Sequence, residues 1–282
     1  MAELITRFAP SPTGPLHLGH AFSALTAFDL AKSANGQFLL RIEDIDTPRC
    51  RPEFEAQIFD DLAWLGLDWA APVMHQSQRT AAYQGALARL SALGVTYACT
   101  CTRGDIRTAL SAPQEGAPLT GPDGPVYPGT CRNAHHSDTG AAIRLNMALA
   151  TALTGPVSVH ETGPIRPGHH AYSPEWLTKH VGDVVLARKD IGTSYHVAVT
   201  IDDAAQDISL VVRGDDLFDS TAVHAVLQRL LMLPSPAYHH HRLIRDTAGK
   251  RLAKRDDARA LSLYRAEGAT PTDLRALLGL VG

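Results

Sequence analysis

Apolar positions open the chain in a short strand-like run, Leu4, Ile5 and Phe8, which gives way to the turn-forming Pro10-Ser11-Pro12-Thr13-Gly14-Pro15. A helix-forming run from Ala21 to Lys32 follows, so the amino end reads as strand, turn, helix. Gln37 to Asp46 reads as a second, buried strand that ends in acids. Side chains alternate along a strand, so Arg41 and Glu43 share one face while Leu40 and Ile42 share the other. Phe54, Ile58, Leu62 and Leu65 recur at i, i+4, i+8 and i+11 and predict an amphipathic helix, with Glu55, Asp60 and Asp61 on a solvated face. Tyr83, Leu87 and Leu90 predict another helix, stopped by Gly94.

Val95 to Cys99 reads as a short strand, and Gln114 to Gly129 as a long loop rich in Pro and Gly. Ala141 to Asn146 and Val157 to His160 have strand patterns, and His169-His170, beside Pro167 and Gly168, reads as surface loop. Asp183 to Asp190 predicts a strand before a turn at Gly192, and the next run places Tyr195 at a strand start. The apolar strand from Ile208 ends abruptly in Arg213-Gly214-Asp215-Asp216-Leu217. Asp219 or Ser220 then caps a helix whose stripe is Val223, Val226, Leu227, Leu230 and Leu231. Two short helices, Leu261 to Glu267 and Thr272 to Leu278, close the chain. Strands alternating with helices predict an α/β fold.

At 282 residues and 45% apolar, the chain has room for one large α/β domain or two modest ones. Its net charge of −3 gives no overall field for nucleic acid, so any such contact needs a local basic patch. His239 to Arg265 is one, with eight Lys/Arg against three Asp. Neither a signal-peptide pattern nor a membrane-length apolar run is present, so the cytoplasm is the expected setting. In that compartment four cysteines read as metal ligands before disulfides.

Three stretches carry chemistry. The first is the amino-terminal strand–turn–helix, since free N–H groups at a helix start favour phosphate. His17 and His20 are three apart and share a side once a helical turn has begun, where imidazoles can donate to phosphoryl oxygens. Gly14 and Gly19 let backbone approach a nucleotide. The second is the pair of polar strand ends, around Glu43 and Arg213, which face the ligand crevice of an open α/β sheet. On pattern alone Arg41 fits a structural ion pair with a neighbouring carboxylate as well as a ligand role. The third is Cys99, Cys101 and Cys131, three thiols or one short of a closed zinc site. Zinc chemistry alone suggests His135 or His136 as the fourth ligand.

The string Thr6 to His20, with His17-Leu18-Gly19-His20 inside it, resembles the nucleotide-binding signature of class I aminoacyl-tRNA synthetases. Its flank Arg7-Phe8-Ala9-Pro10-Ser11-Pro12-Thr13-Gly14 and the block Leu39 to Pro48 resemble the glutamyl-specific branch. Cys-x-Cys followed by Tyr-x-x-x-Cys, and the Arg-Gly-Asp-Asp-Leu wording, look like the branch that modifies queuosine. The resemblance implies a Rossmann-like, doubly wound parallel sheet with an inserted, zinc-containing acceptor-region subdomain and a short helical carboxyl-terminal part. The division it implies is 1–95 and 181–235 for the two catalytic halves, 96–180 for the insert and 236–282 for the signature loop and tail. With 27 residues after Arg255, no anticodon-binding domain is expected.

The activity implied is ATP-dependent activation of L-glutamate and its transfer to queuosine in the anticodon of tRNA(Asp). Arg7, Phe8, Ala9, Pro10, Ser11, Glu43, Tyr195 and Arg213 would bind glutamate, with Glu43 on its ammonium and Arg7 on its side-chain carboxylate. His17, Gly19, His20 and Lys254 would bind Mg-ATP, and His17, His20 and Lys254 would stabilise phosphate charge. Arg251-Leu252-Ala253-Lys254-Arg255 stands where the family has its second signature, with Arg for the first lysine and Ala for the usual serine. Zinc would be structural, held by Cys99, Cys101, Tyr127 and Cys131, with His135 the alternative to Tyr127. A monomer is expected. Two competing readings are a truncated synthetase charging the 3′ end of tRNA(Glu) and a non-catalytic relative that binds tRNA or an amino acid.

Overall fold

The computed structural model describes residues 3–111, 119–245 and 259–280. Ile5–Phe8 (β1), Leu18–Ser33 (α1), Gln37–Ile42 (β2), Pro52–Trp64 (α2) and Ala70–His75 (β3) form a βαβαβ unit. The three strands pair in parallel, Ile5 opposite Gln37 and Phe8 opposite Leu40, and the two helices supply the crossovers that parallel pairing requires. Helix α1 buries Leu18, Ala21, Phe22, Ala24, Leu25, Ala27 and Ala31. Its large apolar side chains contribute about 1.5–3 kcal/mol each, and the alanines let the helix lie close to the sheet. The helix begins three residues before the expected Ala21, because the His17 side chain caps it.

Thr80–Ala92 (α3) and Thr96–Cys99 (β4) follow, then Arg103–Leu110 (α4) and a small hairpin of Thr120–Gly121 (β5) with Gly124–Pro125 (β6). Next come Ala142–Leu145 (β7), Met147–Thr154 (α5), Val157–Glu161 (β8) and Gly168–Tyr172 (β9). Pro174–Trp176 (α6) continues through a π-helical turn, Leu177–Val181, to Val185–Ala187 (β10). Tyr195–Ala205 (α7), Leu210–Gly214 (β11), Ser220–Leu231 (α8) and Ala237–His241 (β12) complete the sheet region. Leu261–Ala266 (α9) and Pro271–Leu277 (α10) are the expected closing helices.

Strands β11 and β12 pair in parallel, β12 pairs in parallel with β8, and β8 pairs antiparallel with β9. Ser209 N–H donates to Ile5 O at 3.0 Å, which sets β11 beside β1. The order across the molecule is therefore β3-β2-β1-β11-β12-β8-β9. A separate antiparallel sheet, β4-β7-β10, carries the cysteine loop. The pairings cross the division expected from the sequence: β8 and β9 from the 96–180 segment extend the main sheet, and β10 joins β7 from beyond residue 180.

Several local expectations change. Tyr195 opens a helix rather than a strand, because Ser194 accepts from Val197 N–H as its cap. The β-branched run that suggested a strand is buried against α3, α8 and β10, and tertiary packing overrides propensity. His169 and His170 lie in β9, not in a loop. Asp61 is 1% exposed instead of solvated, since α9 covers that face of α2: Gln57 donates to Ser262 at 3.1 Å and Arg265 to Asp60 at 2.7 Å. Burial pushes the Asp61 carboxyl up to about 6, with the Asp60 charge adding and Arg265 opposing. Strand β12 carries the polar run His239-His240-His241, so no apolar pattern announced it. Among the described residues no helix is long and apolar enough to cross a membrane.

Candidate active site

The strand order reverses between β1 and β11, and in an open parallel sheet that point opens a crevice at the carboxyl ends of the strands. Strand β1 ends in Phe8, packed in the core, and leads into Ala9, Pro10 and Ser11; Glu43 follows β2, and Arg213 is the next-to-last residue of β11. Glu43 N–H donates to Pro10 O at 3.0 Å and Arg51 N–H to Pro12 O at 2.9 Å, so the proline-rich turn is laced to the segment after β2.

Beneath this turn lies a charge cluster that the sequence did not foretell. Arg7 turns its side edge onto Asp203, Nε to Oδ1 at 2.9 Å and Nη2 to Oδ2 at 3.3 Å, while Nη1 donates to Val212 O at 3.2 Å. Arg41, fully buried, donates to the same Asp203 at 2.7 Å, to Gln206 at 3.0 Å and to Glu43 at 3.1 Å. Burial opposes the Asp203 carboxylate, but Arg7 and Arg41 outweigh it and hold its pKa down to about 2. Burial raises the Glu43 carboxyl, with Arg41 and Arg7 pulling the other way. Arg41 is thus ion-paired to Glu43, and Arg7 has three of its five N–H bonds committed, leaving one on each Nη for a ligand. Asp203 sits on α7, the helix that Tyr195 opens, and was not among the residues expected to act.

Across the crevice Arg213 is held more tightly. Its Nε donates to His240 Nε2 at 3.0 Å, Nη1 to the Tyr195 hydroxyl at 3.3 Å and to His224 Nδ1 at 3.3 Å, and Nη2 to Thr221 Oγ1 at 2.7 Å. His240 in turn donates from Nδ1 to Glu161, which also accepts from His240 N–H at 2.9 Å and Gly163 N–H. Burial first, then the Arg213 charge, lowers His240 to about 4, so the ring is neutral and presents Nε2 as an acceptor. Tyr195 and Arg213 are brought together by the fold; His224, His240, Thr221 and Glu161 join them without having been foreseen.

His17 and His20 meet as the two halves of a helix cap. Gly19 N–H donates to His17 Nδ1 at 3.1 Å and His17 N–H donates to His20 Nδ1 at 3.1 Å. The ring centroids are 3.8 Å apart. Because a backbone N–H only donates, each Nδ1 is an acceptor and each neutral ring carries its proton on Nε2. Two imidazole N–H donors are thereby fixed in tautomer at the start of α1, where the helix dipole favours an anion. A Cβ on Gly19 would lie 3.0 Å from His17 Cε1 and 3.1 Å from Nδ1, so a larger residue there would push the capping ring by a few tenths of an ångström. Lys254, with Arg251 and Ala253, lies outside the described residues.

Away from the crevice, the Cys99, Cys101 and Cys131 sulfurs converge within 4.8 Å of one another. The Tyr127 hydroxyl is 3.4 Å from Cys99 Sγ and 3.4 Å from Cys101 Sγ, and accepts from Cys131 N–H at 2.9 Å. Tetrahedral zinc with Zn–S of about 2.3 Å and Zn–O of about 2.0–2.2 Å needs S···O of about 3.5 Å, so this donor set fits the ion. Burial disfavours the Cys131 thiolate, yet hydrogen bonds from Tyr127, Thr100 and the other thiols hold it down to about 5. His136 faces Thr100 at 3.3 Å, and His135, exposed in the left-handed region at φ 50°, is not part of the cluster.

The family model described as tRNA synthetases class I (E and Q), catalytic domain, matches residues 3–282. A glutamyl-Q tRNA(Asp) synthetase of Rhodobacter capsulatus is 60% identical over 282 residues, covering 98% of this chain and 100% of that one. One from Nocardia farcinica is 43% identical, covering 96% and 82%. The crystal structure of a glutamate-tRNA synthetase from Elizabethkingia anophelis superposes with a TM-score of 0.77 at 25% identity. It is covered over 62% of its length by the whole of this chain. With a family model spanning nearly every residue and a crevice placed where that fold binds nucleotide, the chain belongs to the class I glutamyl and glutaminyl tRNA synthetase family, catalytic-domain type.

Proposed function

We propose that this ligase activates L-glutamate with Mg-ATP and passes the glutamyl group to the queuosine base in the anticodon of tRNA(Asp), in the cytoplasm. The observation that carries the reading is the pair of buried guanidinium groups, Arg7 on β1 and Arg213 on β11, on the neighbouring strands where the order reverses, with His17 and His20 at the start of the helix that follows β1. The glutamyl-Q relatives, matched over 100% and 82% of their length, support the choice of acceptor.

In the first step a glutamate α-carboxylate oxygen attacks the α-phosphorus, an O–P bond forms, and pyrophosphate leaves with its bonding pair. The Nε2–H donors of His17 and His20 neutralise charge gathering on the phosphates, aided by Lys254. Arg7 takes the glutamate side-chain carboxylate on its two Nη edges, since Asp203 holds its other edge. Phe8, Ala9, Pro10 and Ser11 form the wall beside it, and Glu43 attracts the ammonium. Tyr195 and Arg213 position the amino acid from the β11 side. In the second step a cyclopentenediol hydroxyl of queuosine attacks the activated carbonyl, an ester forms and AMP leaves. Positioning supplies most of the acceleration, so no covalent enzyme nucleophile is needed.

Cys99, Cys101, Cys131 and Tyr127 support a structural zinc site, in which the ion would cross-link β4 to the loop at Tyr127–Cys131. The test of the whole reading is glutamate-dependent exchange of pyrophosphate into ATP, followed by mapping labelled glutamate on tRNA. Label on queuosine-containing but not queuosine-lacking tRNA(Asp) is the expected result. Label on the 3′ end of tRNA(Glu) would reassign the acceptor, and absence of exchange would remove the activity altogether.

A further inference from the structure

Arg213 is the end of a hydrogen-bond chain that leads out of the crevice to the β5–β6 hairpin. His224 Nδ1 faces Arg213 Nη1 at 3.3 Å, His224 Nε2 faces His196 Nδ1 at 3.1 Å, and His196 Nε2 faces Asp123 Oδ1 at 3.0 Å. His196 and His224 are each 3% exposed, whereas the Asp123 side chain is 52% exposed on the hairpin turn. The direction of every bond is fixed by one fact: a guanidinium has donors only. His224 Nδ1 must accept, so its proton sits on Nε2 and is donated to His196 Nδ1. That leaves the His196 proton on Nε2, donated to the Asp123 carboxylate. Burial first, then the Arg213 charge, holds His224 well below the ordinary imidazole range, in keeping with a neutral ring.

Neither histidine is needed for packing alone. His196 follows Tyr195 in the first turn of α7, and His224 interrupts the apolar face of α8, positions where an aliphatic side chain would fill the space without a desolvation penalty. Two buried imidazoles in series are retained where each satisfies the next, and the series ends at Arg213.

We propose that Asp123, His196 and His224 are positioning residues that act through Arg213, a one-way relay that sets the guanidinium in the amino-acid pocket and ties its placement to the β5–β6 hairpin. The proposal rests on the reading that Arg213 binds the amino acid. It makes a hairpin outside the crevice part of the machinery that determines glutamate affinity.

The test is steady-state pyrophosphate exchange with glutamate and ATP varied separately. Asp123→Ala should raise KM for glutamate about three- to tenfold, the loss of one net hydrogen bond, with KM for ATP within about twofold of wild type. Asp123→Asn should restore it, because the amide oxygen still accepts from His196 Nε2–H. His196→Asn keeps an acceptor for His224 but drops Asp123, so it should match Asp123→Ala, and the double variant should be no worse than either. An unchanged glutamate KM in Asp123→Ala, or an equal rise in both KM values, overturns the relay. Should the wild-type chain show no exchange, the functional reading fails, and the relay is then judged by nitrogen-15 NMR of the two rings. Nε2–H tautomers at both His196 and His224 sustain it; an Nδ1–H tautomer or an imidazolium at either refutes it.

Discussion

His17 has one observed role and one proposed role, and a single substitution can separate them. Its Nδ1 caps α1 by accepting from Gly19 N–H at 3.1 Å, and its Nε2–H is the donor proposed to meet the reacting phosphate. Alanine removes both; asparagine removes only the second, because its Oδ1 is among the best caps at this position. Loss of the cap should destabilise the chain by about 1 kcal/mol. In a chain of this size that lowers Tm by about 2–4 °C. Loss of one preorganised donor to developing charge costs about 10²–10³ in turnover, or about 2.7–4 kcal/mol. His17→Ala should therefore show both losses. His17→Asn should show the fall in kcat for glutamate-dependent pyrophosphate exchange while its Tm stays within about 1 °C of wild type. Thermal unfolding and exchange kinetics on the same preparations read both. If His17→Asn keeps kcat within about tenfold, the imidazole is a cap and nothing more. If it melts as early as His17→Ala, the capping geometry is refuted.

Asp203→Asn leaves Arg7 and Arg41 buried around a neutral amide, and urea unfolding should show a loss of about 3–5 kcal/mol; a change below about 1 kcal/mol would show that the cluster is solvated. Asp61 is raised to about 6 by burial, so it binds a proton more readily folded than unfolded, and its penalty is absent below about pH 4 and complete above about pH 7. Asp61→Asn should accordingly gain about 2–3 kcal/mol more at pH 8 than at pH 4, in urea titrations at the two pH values; equal effects would contradict an inward carboxyl. Metal analysis of the purified chain should find one zinc, lost in Cys131→Ser and bound more weakly in Tyr127→Phe; retention of full affinity without the phenol would exclude Tyr127 as a ligand.

The elements around the crevice were legible because they rest on local chemistry. Turn-forming Pro10 to Pro15 between an apolar strand and a helical run leaves few alternatives, and Arg213-Gly214 after an apolar strand marks a strand end at any position in the chain. The helix of Tyr195 was not legible, because Val197, Val199 and Ile201 favour a strand until α3 and α8 enclose them. Strand β12 was hidden for the complementary reason: His240 is buried only because Glu161 and Arg213, from elsewhere in the chain, satisfy both its ring nitrogens.

By itself the sequence determined which residues could do chemistry and the local geometry that presents them: the turn before α1, the pair His17 and His20 three apart, the strand ends. Only the tertiary structure decided who their partners are. Asp203 is 196 residues from Arg7, Asp123 is 73 from His196, and Glu161 is 79 from His240. Spacing within one element is set by helix and strand period and can be read from letters, whereas the pairing of charges far apart in sequence depends on which surfaces exclude water together. That is why the arginines were visible in advance and the carboxylates and imidazoles that aim them were not.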